Sequence, residues 1–491
     1  MNPFKKIATE TVMYGMSTML PRFLNWLMVS YFTRVFSENA FGVVVNIYAW
    51  VAILLALLTY GMETSFFRFA TRDKRDEEKV YATSMITLFA SSFLFSLLMV
   101  VFDQPIASFM GFADHPEFIR WFGLIIGIDA FTSIPFAWLR LKNRPIRFFA
   151  IKLISVVVTI FFTVFFVSIC PSILKGNPNS IVRYIYSPQI GVGYVFISNL
   201  LGSIATIFAL WPEMKKVKFT FDKDLFVKMI GYGFPILILS LAMMINQNLD
   251  KIILKSLLPK GVDVLAQTGI YGANYRLGVI MVLFTQAFRY SFEPFFFSQQ
   301  QGEKSNKLYA DIMKYFVLFG LFIFLSTMCY IDVIKRVIGE HFREGLKVVP
   351  LVLLGNLFSG IAYNLSLWYK LSDRTRYGAY VALLGSAVTI VFNILLVPFI
   401  GYMGAAITGF LCFFVMALTS YTWGQKYYPI PYDLRRMGFY FVVSIGLYII
   451  STIVHPHGII LNFLWNTLLM GLFLYTVYIK EKSGILKLLK K

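Results

Sequence analysis

Residues 148–170 read FFAIKLISVVVTIFFTVFFVSIC, and Lys152 is the one charged side chain in this stretch. A helix of about 20 apolar residues is long enough to cross the hydrocarbon core of a bilayer. Lipid offers no hydrogen-bond partner to exposed backbone groups, so an apolar run of this length is expected to be helical. The stretch therefore predicts a membrane-spanning helix.

Comparable apolar stretches recur along the whole chain. Of its 491 residues, 58% are hydrophobic and 14% are charged, whereas a soluble domain has about 25% charged residues. This composition excludes a soluble enzyme, a disordered protein and a disulfide scaffold, and it predicts an all-α integral membrane protein. The fourteen predicted spans are residues 8–33, 42–67, 80–102, 119–139, 148–170, 190–211, 225–248, 269–296, 311–331, 348–369, 377–399, 403–424, 437–454 and 459–479.

Basic residues are concentrated in alternate linkers between these spans. The chain has 45 Lys and Arg residues against 25 Asp and Glu residues, a formal net charge of +20. With the amino terminus placed inside, the inner segments hold 30 basic residues, the outer linkers and adjoining helix ends hold 11, and four lie within spans. Because cytoplasmic loops carry an excess of Lys and Arg, both termini are expected in the cytoplasm. The bias explains most of the net charge, so no nucleic-acid partner is expected.

A weak internal repeat relates two parts of the chain. Gly42 and Tyr48 in the second span have the same spacing as Gly269 and Tyr275 in the eighth, at an offset of 227 residues. An offset of six spans preserves the membrane orientation, so the two copies would be related by an axis along the membrane normal. The repeat predicts two six-helix lobes, two appended helices and a basic tail, at residues 1–211, 225–424, 437–479 and 480–491.

Polar residues follow one face of the first predicted span, at helical spacing. They are Thr11, Tyr14, Thr18, Arg22 and Asn25. Pro21 precedes the arginine and is expected to kink the helix. Ionisable residues at membrane depth usually face a bundle interior or a water-filled cavity. The stripe predicts a cavity-lining helix, and hydrogen bonding to neighbouring helices is the structural alternative.

The seventh and eighth spans carry polar residues of the same kind. Gln286, Arg289 and Glu293 share a face of the eighth span, where the last two can pair as i, i+4 neighbours. Guanidinium groups suit phosphate, and tyrosine and amide groups suit sugar hydroxyls. The predicted polar, cationic binding residues are Arg22, Asn25, Tyr14, Thr18, Asn246, Arg276, Gln286 and Arg289.

Acidic residues in or beside the spans are candidates for binding a proton or Na⁺. Asp129 lies near the middle of the fourth span, with Lys152 as a candidate partner, and a neutral structural acid is the alternative interpretation. The further candidates are Glu63, Glu293 and Asp250. The sequence has no Walker A, H-E-x-x-H or G-x-S-x-G motif. We therefore predict no catalytic residues, no metal ligands and no cofactor.

Several motifs resemble those of a known family. They are TRVF at 33–36, GMETSFFRF at 61–69, DKIIL at 250–254 and GIYGA at 269–273. With these motifs and fourteen spans, the chain resembles the polysaccharide-transporter branch of the multidrug/oligosaccharidyl-lipid/polysaccharide exporter superfamily. Within that branch it is most similar to the Wzx-type O-antigen and capsule flippases.

The resemblance implies two six-helix lobes around a central cavity that opens to each side in turn. It implies transfer of an undecaprenyl-pyrophosphate-linked oligosaccharide to the outer leaflet of a bacterial cytoplasmic (inner) membrane, in O-antigen, lipopolysaccharide or capsule biosynthesis. The cavity would hold the pyrophosphate, and the last two spans would form a groove for the lipid tail. A proton or sodium gradient is the implied driving force. A polysaccharide polymerase and glycosyltransferases are the implied protein partners.

Three alternatives remain beside this interpretation. A lipid II flippase shares the fold. A multidrug or cation antiporter of the same superfamily usually has twelve spans and an acidic cavity, and a membrane glycan polymerase or ligase usually has a long outer loop. Fourteen spans, basic stripes and short linkers favour a flippase, and therefore a transporter over an enzyme.

Overall fold

The computed structural model describes the chain apart from residues 1–18, 22, 72–75, 216–219, 260, 299–302, 373, 455, 457 and 490–491. Every regular element in the described part is a helix, as the apolar runs predict. The helices divide into two compact units, Met1–Gly272 and Ala273–Lys491. The predicted division at 1–211, 225–424, 437–479 and 480–491 stays a prediction.

The two units are built from long helices joined by short ones. Those that begin in the first unit are α1 (residues 19–35 without 22), α2 (Glu38–Thr59), α3 (Met62–Thr71), α4 (Glu77–Val101), α5 (Asp103–Met110), α6 (Pro116–Leu141), α7 (Pro145–Val164), α8 (Cys170–Gly176), α9 (Gly193–Lys215), α10 (Lys223–Leu257) and α11 (Val264–Leu277). Those of the second unit are α12 (Val279–Ser298), α13 (Glu303–Cys329), α14 (Ile331–Ile334), α15 (Val349–Leu365), α16 (Leu367–Leu371), α17 (Arg376–Ile400), α18 (Tyr402–Tyr427), α19 (Leu434–Ile453) and α20 (Ile459–Leu489). A π-helical turn, Phe165–Ile169, joins α7 to α8.

Within the described residues, twelve helical segments are long and apolar enough to cross a membrane, from Glu38–Thr71 to Ile459–Lys482. The described part of the predicted first span forms α1. The predicted eighth span is broken, because α11 and α12 meet at a turn where the Gly278 amide donates to the Tyr275 carbonyl oxygen at 3.1 Å. This i to i−3 bond is tighter than an α-helical bond. Together these segments agree with an all-α, multi-pass membrane protein of about fourteen spans.

Acidic side chains cap the start of several helices outside the apolar segments. Asp76 accepts a hydrogen bond from the Glu78 amide at 3.0 Å, and Asp222 accepts one from the Leu225 amide at 3.0 Å. The backbone bond to Leu225, followed by the contact with Lys79, lowers the pKa of the Asp222 carboxyl. A carboxylate at this position accepts hydrogen bonds from free backbone amides, and its negative charge complements the helix dipole. Asp76 and Asp222 therefore mark where α4 and α10 begin.

Two glycines of the predicted repeat meet in the packing of the first unit. Gly42 of α2 lies against the carbonyl oxygen of Leu265 in α11, and Gly269 of α11 lies against the carbonyl oxygen of Glu38 in α2. Both pairs of equivalent residues differ by 227 positions, since 269 − 42 and 265 − 38 are equal. We call this contact the Gly42–Gly269 crossing. Glycine occupies both positions because a side chain at either would overlap the backbone of the other helix.

We expect Gly42→Ala to destabilise the protein by about 1–3 kcal/mol, the usual range for overpacking. The added methyl group would overlap a carbonyl oxygen on a neighbouring helix, which cannot rotate aside as a side chain can. The thermal unfolding midpoint of the purified protein in detergent measures the effect. Gly446→Ala in α19 is the control, because its methyl group would meet open space. Equal midpoints for the two variants would contradict the close crossing.

In the second unit a buried ion pair joins α20 to α13. Lys314 Nζ lies 2.8 Å from Glu481 Oε2, and their side chains are 8% and 2% exposed. The other carboxylate oxygen of Glu481 accepts a hydrogen bond from the Tyr440 hydroxyl of α19 at 2.8 Å. A buried pair of this kind is tolerated only when its remaining hydrogen bonds are satisfied. The contact therefore sets how the last two helices pack on α13.

Candidate functional site

Two basic side chains meet on one tyrosine in the second unit. The guanidinium carbon of Arg289 (α12) lies 4.5 Å from the centroid of the Tyr363 ring (α15). The ammonium nitrogen of Lys370 (α16) lies 4.6 Å from the same centroid and donates to the Tyr363 hydroxyl at 3.4 Å. We call Arg289, Tyr363 and Lys370 the Tyr363 cluster.

Local chain geometry positions this cluster. A turn at Ser366 separates α15 from α16, with its amide donating to the carbonyl oxygens of Ala362 and Tyr363 at 3.0 Å. The turn carries Lys370 back beside the end of α15. On α12, Gln286 lies one turn before Arg289, and its side-chain oxygen Oε1 is buried with no hydrogen-bond partner within the described residues. Gln286 and Arg289 lie on the predicted polar face of α12, and Arg289 is the residue of that face that contacts Tyr363.

The cluster has the chemistry of an anion site. Both basic groups lie on the same ring, so one anion can contact the two of them together. A guanidinium group makes bidentate contacts with phosphate, and an ammonium group acts as a compact point charge. The Arg289 side chain is exposed, so its guanidinium group is not enclosed by the protein. Phosphate or pyrophosphate is the ligand class that this arrangement fits best.

A second group of ionisable side chains lies within the spans of the first unit. Asp129 of α6 accepts a hydrogen bond from the Ser203 hydroxyl of α9 at 2.8 Å. Lys152 of α7, the expected partner of Asp129, lies near Asp129, Glu63 and Arg140, but within the described residues no ion pair joins it to Asp129. Its ammonium nitrogen lies 4.0 Å from the centroid of the Phe136 ring. The Asp129 carboxylate therefore has a hydroxyl as its hydrogen-bond partner and a basic side chain in its neighbourhood.

Glu63 forms an ion pair with Arg140 at the end of α6. The guanidinium carbon of Arg140 also lies 5.1 Å from the centroid of the Phe67 ring. The side chains of Arg140 and Glu63 are 34% and 42% exposed. Glu63 is therefore already neutralised by a basic residue in the last turn of α6.

The basic residues in and just after the α6–α7 linker are paired with acids as well. Lys142 contacts Glu77 at 2.5 Å. Arg144 and Arg147 contact Glu213 at 3.9 and 2.7 Å. These pairs hold the linker against α4 and α9, so we assign its charges a structural role and not a place in the anion site.

Asp250 forms a buried group with its neighbours near the end of α10. Its carboxylate contacts Lys251 Nζ at 2.9 Å and accepts a hydrogen bond from the Tyr271 hydroxyl at 2.5 Å. Asn46 of α2 donates to the Lys251 carbonyl oxygen at 3.0 Å. Asn246, one turn earlier, is also buried. The geometry gives Asp250 a role in joining α2, α10 and α11, and its place in ion coupling stays a prediction.

The other predicted site residues fall into two groups. Asn25 and Arg276 are described and exposed. Tyr14, Thr18, Arg22 and the side chain of Glu293 lie outside the described residues. The predicted stripe on the first span and the Arg289–Glu293 pair therefore stay predictions.

Three buried oxygens on α17 and α18 were not singled out in the sequence. Thr389 and Asn393 lie one turn apart on α17, and Thr408 lies on α18. Thr389 Oγ1, Asn393 Oδ1 and Thr408 Oγ1 have no hydrogen-bond partner in the part of the chain that the structure describes. Buried polar atoms normally have a partner, which can be an ordered water or an ion. Neutral polar residues in an apolar helix gave no charge signal by which to find them.

The sequence analysis did not identify four further residues that contact the predicted site residues. They are Lys370, Tyr363, Arg140 and Ser203. Arg140 and Lys370 lie in segments assigned to inner linkers, where basic residues are expected for orientation alone. Their long side chains reach back onto the helices, as those of Lys and Arg can. The Tyr–x6–Lys spacing of Tyr363 and Lys370 was the available signal, and it is too common to be specific.

Comparison with known proteins identifies the family of this chain. The model of the family described as polysaccharide biosynthesis protein matches residues 7–300, more than half of the chain. The uncharacterized membrane protein MJ1068 of Methanocaldococcus jannaschii is 20% identical over 517 aligned positions, which cover 97% of this chain and 96% of that protein.

The chain is similar in fold to solved transporter structures. A structure of the lipid II flippase MurJ in an inward closed conformation has a TM-score of 0.71 and 14% identity, covering 96% of this chain and 100% of that one. An inward-facing multidrug resistance MATE family transporter of the MOP superfamily has a TM-score of 0.64 and 14% identity, covering 85% and 94%. These likenesses show the fold, and the family match confirms the resemblance seen in the motifs: this chain belongs to the polysaccharide biosynthesis protein family.

Proposed function

We propose that this protein is a flippase that moves a polyprenyl-pyrophosphate-linked oligosaccharide across a cytoplasmic membrane by alternating access. The Tyr363 cluster is the observation that carries the proposal, because it presents two cations to one anionic group. Family membership and the transporter-like fold support it. In its specific form the cargo is an undecaprenyl-linked O-antigen or capsule repeat unit.

In this proposal the two ends of the substrate meet different parts of the protein. The pyrophosphate binds Arg289 and Lys370, and the amide of Gln286 contacts a sugar hydroxyl. The lipid tail stays in the bilayer beside the last two helices, where α20 exposes apolar side chains such as Leu464 and Leu468. Moving a charged group into an apolar medium is costly. The charged headgroup therefore stays in a polar site while the apolar tail stays in lipid.

The location and the partners follow from the same proposal. The excess of basic residues in alternate linkers supports an orientation with both termini in the cytoplasm. Glycosyltransferases would supply the substrate on the inner face, and a polysaccharide polymerase would consume it on the outer face. An inner-membrane location in a bacterium is the corresponding expectation.

Deletion of the gene tests the proposed function directly. We expect lipid-linked oligosaccharide to accumulate on the inner face of the membrane and surface polysaccharide to be lost. Mass spectrometry of extracted lipids and surface glycan staining measure the two effects, and a plasmid copy of the gene is the control. Normal surface glycan in the deletion strain would contradict the proposal.

A lipid II flippase is the second candidate, favoured by the fold match that covers all of the MurJ chain. Both substrates present a pyrophosphate, so the Tyr363 cluster fits either. The lipid that accumulates after deletion separates the two functions, because lipid II carries a peptide and a repeat unit does not. Accumulation of the peptide-bearing lipid would favour this second candidate.

For ion coupling we propose Asp129 as the site that binds a proton or Na⁺. Asp129→Asn keeps the shape and the hydrogen bond with Ser203 but removes the charge. We expect uptake into proteoliposomes to lose its response to an imposed ion gradient, with at least a tenfold fall in the driven rate, equivalent to about 1.4 kcal/mol. Gradient-free exchange is the control. A variant that still responds fully to the gradient would contradict the assignment.

A further inference from the structure

The segment between α8 and α9 is folded and does not extend away from the bundle. Tyr186 stacks on Tyr194 of α9 with ring centroids 5.0 Å apart, and Tyr194 stacks on Phe166 at 4.7 Å. The Ser187 amide donates to the Tyr194 hydroxyl at 2.7 Å. The stacking of three aromatic rings and one hydrogen bond from a backbone amide to a tyrosine hydroxyl therefore fix the position of this segment.

This stack brings the segment back toward the membrane. The helical stretch containing Phe166 continues for ten more residues to Gly176, a rise of roughly 15 Å. Phe166 belongs to the apolar run of residues 148–170, so the level of its ring is that of the bilayer and not of the surrounding water. Tyr186 turns back toward that level, because its ring lies no farther from the Phe166 ring than the sum of the two centroid distances, 5.0 and 4.7 Å.

A short 3₁₀ helix, Ile181–Tyr184, lies just before the stack and has two different faces. Side chains three residues apart eclipse one another in a 3₁₀ helix. Ile181 and Tyr184 share one face and are 80% and 87% exposed, whereas Val182 on the other side is 7% exposed. The Val182 amide is capped by the Ser180 hydroxyl at 3.3 Å, so the apolar face is held outward by ordered structure.

We propose that the face formed by Ile181, Tyr184 and Ile185 inserts into the lipid–water boundary of the bilayer. The segment joins two consecutive membrane-crossing helices, Pro145–Gly176 and Gly193–Lys215, and its end at Tyr186 is held against the bundle by the aromatic stack. Tyrosine favours this depth because its ring is apolar and its hydroxyl is polar. Arg183, which is exposed on the same turn, can place its guanidinium group among lipid phosphates. The partner is a lipid surface, and this inference does not depend on the transported substrate.

Spin labelling of the full-length protein in liposomes tests this proposal. Single cysteines replace Ile181, Tyr184 or Asn179 in a background without the three native cysteines, and each carries a nitroxide. Collision with oxygen reports exposure to lipid, and collision with a water-soluble nickel chelate reports exposure to water. Asn179 is the matched control, because it is polar, exposed and lies in the turn that follows α8.

We expect the oxygen-to-nickel accessibility ratio to be severalfold higher at positions 181 and 184 than at position 179. Arg183→Cys should give a ratio between these two levels. With this third position, the result does not depend on the folding of any one labelled variant. Gel filtration confirms that each labelled protein is folded. Nickel accessibility at 181 and 184 equal to that at 179 would show a water-exposed face and overturn the proposal. Low accessibility to both reagents would show contact with a protein and would overturn it too.

Discussion

Cross-linking Asn39→Cys to Asp263→Cys is expected to stop transport almost completely, and reduction of the cross-link is expected to restore it. Asn39 Nδ2 donates to both carboxylate oxygens of Asp263, at 2.9 and 3.0 Å, beside the Gly42–Gly269 crossing. Asn39 and Asp263 lie in one compact unit, Met1–Gly272, but in different predicted lobes. In the alternating-access cycle that we propose, the predicted lobes part at this end of α2 and α11. A covalent bond here removes that freedom without touching the Tyr363 cluster.

The measurement is uptake of lipid-linked oligosaccharide into proteoliposomes before cross-linking, after it and after reduction. The control pair is Glu77→Cys with Lys142→Cys, whose native side chains are 2.5 Å apart within the predicted first lobe. That pair stays together in any rigid-lobe movement, so its cross-link should leave uptake unchanged. Full uptake by the protein linked at positions 39 and 263 would rule out opening at the crossing.

Removal of the charges of the Tyr363 cluster should have the second large effect. Hydrogen bonds to charged groups contribute about 1.5–3 kcal/mol each, so Arg289→Gln or Lys370→Gln should lower the transport rate at limiting substrate roughly 10- to 100-fold. The double variant should fall below detection. The expected cause is loss of pyrophosphate binding, so the concentration for half-maximal transport should rise.

Arg374→Gln provides the matched control for this series. Arg374 lies in the same inner segment as Lys370, but its guanidinium carbon lies 4.4 Å from the centroid of the Tyr427 ring. It should retain transport. Lys370→Arg and Arg289→Lys should recover part of the activity, because each keeps its charge. Wild-type transport by both glutamine variants at normal protein levels would remove the Tyr363 cluster from the mechanism.

The candidate site could be predicted only in part. Arg289 and Gln286 stood out because polar residues are costly in an apolar span. Lys370 and Arg140 did not, because a basic residue just beyond a span is also what membrane orientation requires. Whether such a side chain points to water or folds back onto a tyrosine or a glutamate depends on neighbours that are distant in the chain.

The sequence by itself determined the class of protein, about fourteen spans and the family, because the apolar runs are long and lipid permits only helices to pair their backbone groups locally. It also contained the weak repeat at an offset of 227 residues, but it did not show that residues of the two copies are in contact. Only the tertiary structure decided that Gly42 and Gly269 meet, that α11 ends before α12 begins, and that Arg289 and Lys370 share Tyr363. These contacts join residues far apart in the chain, and helical periodicity carries no information about which faces of different helices come together.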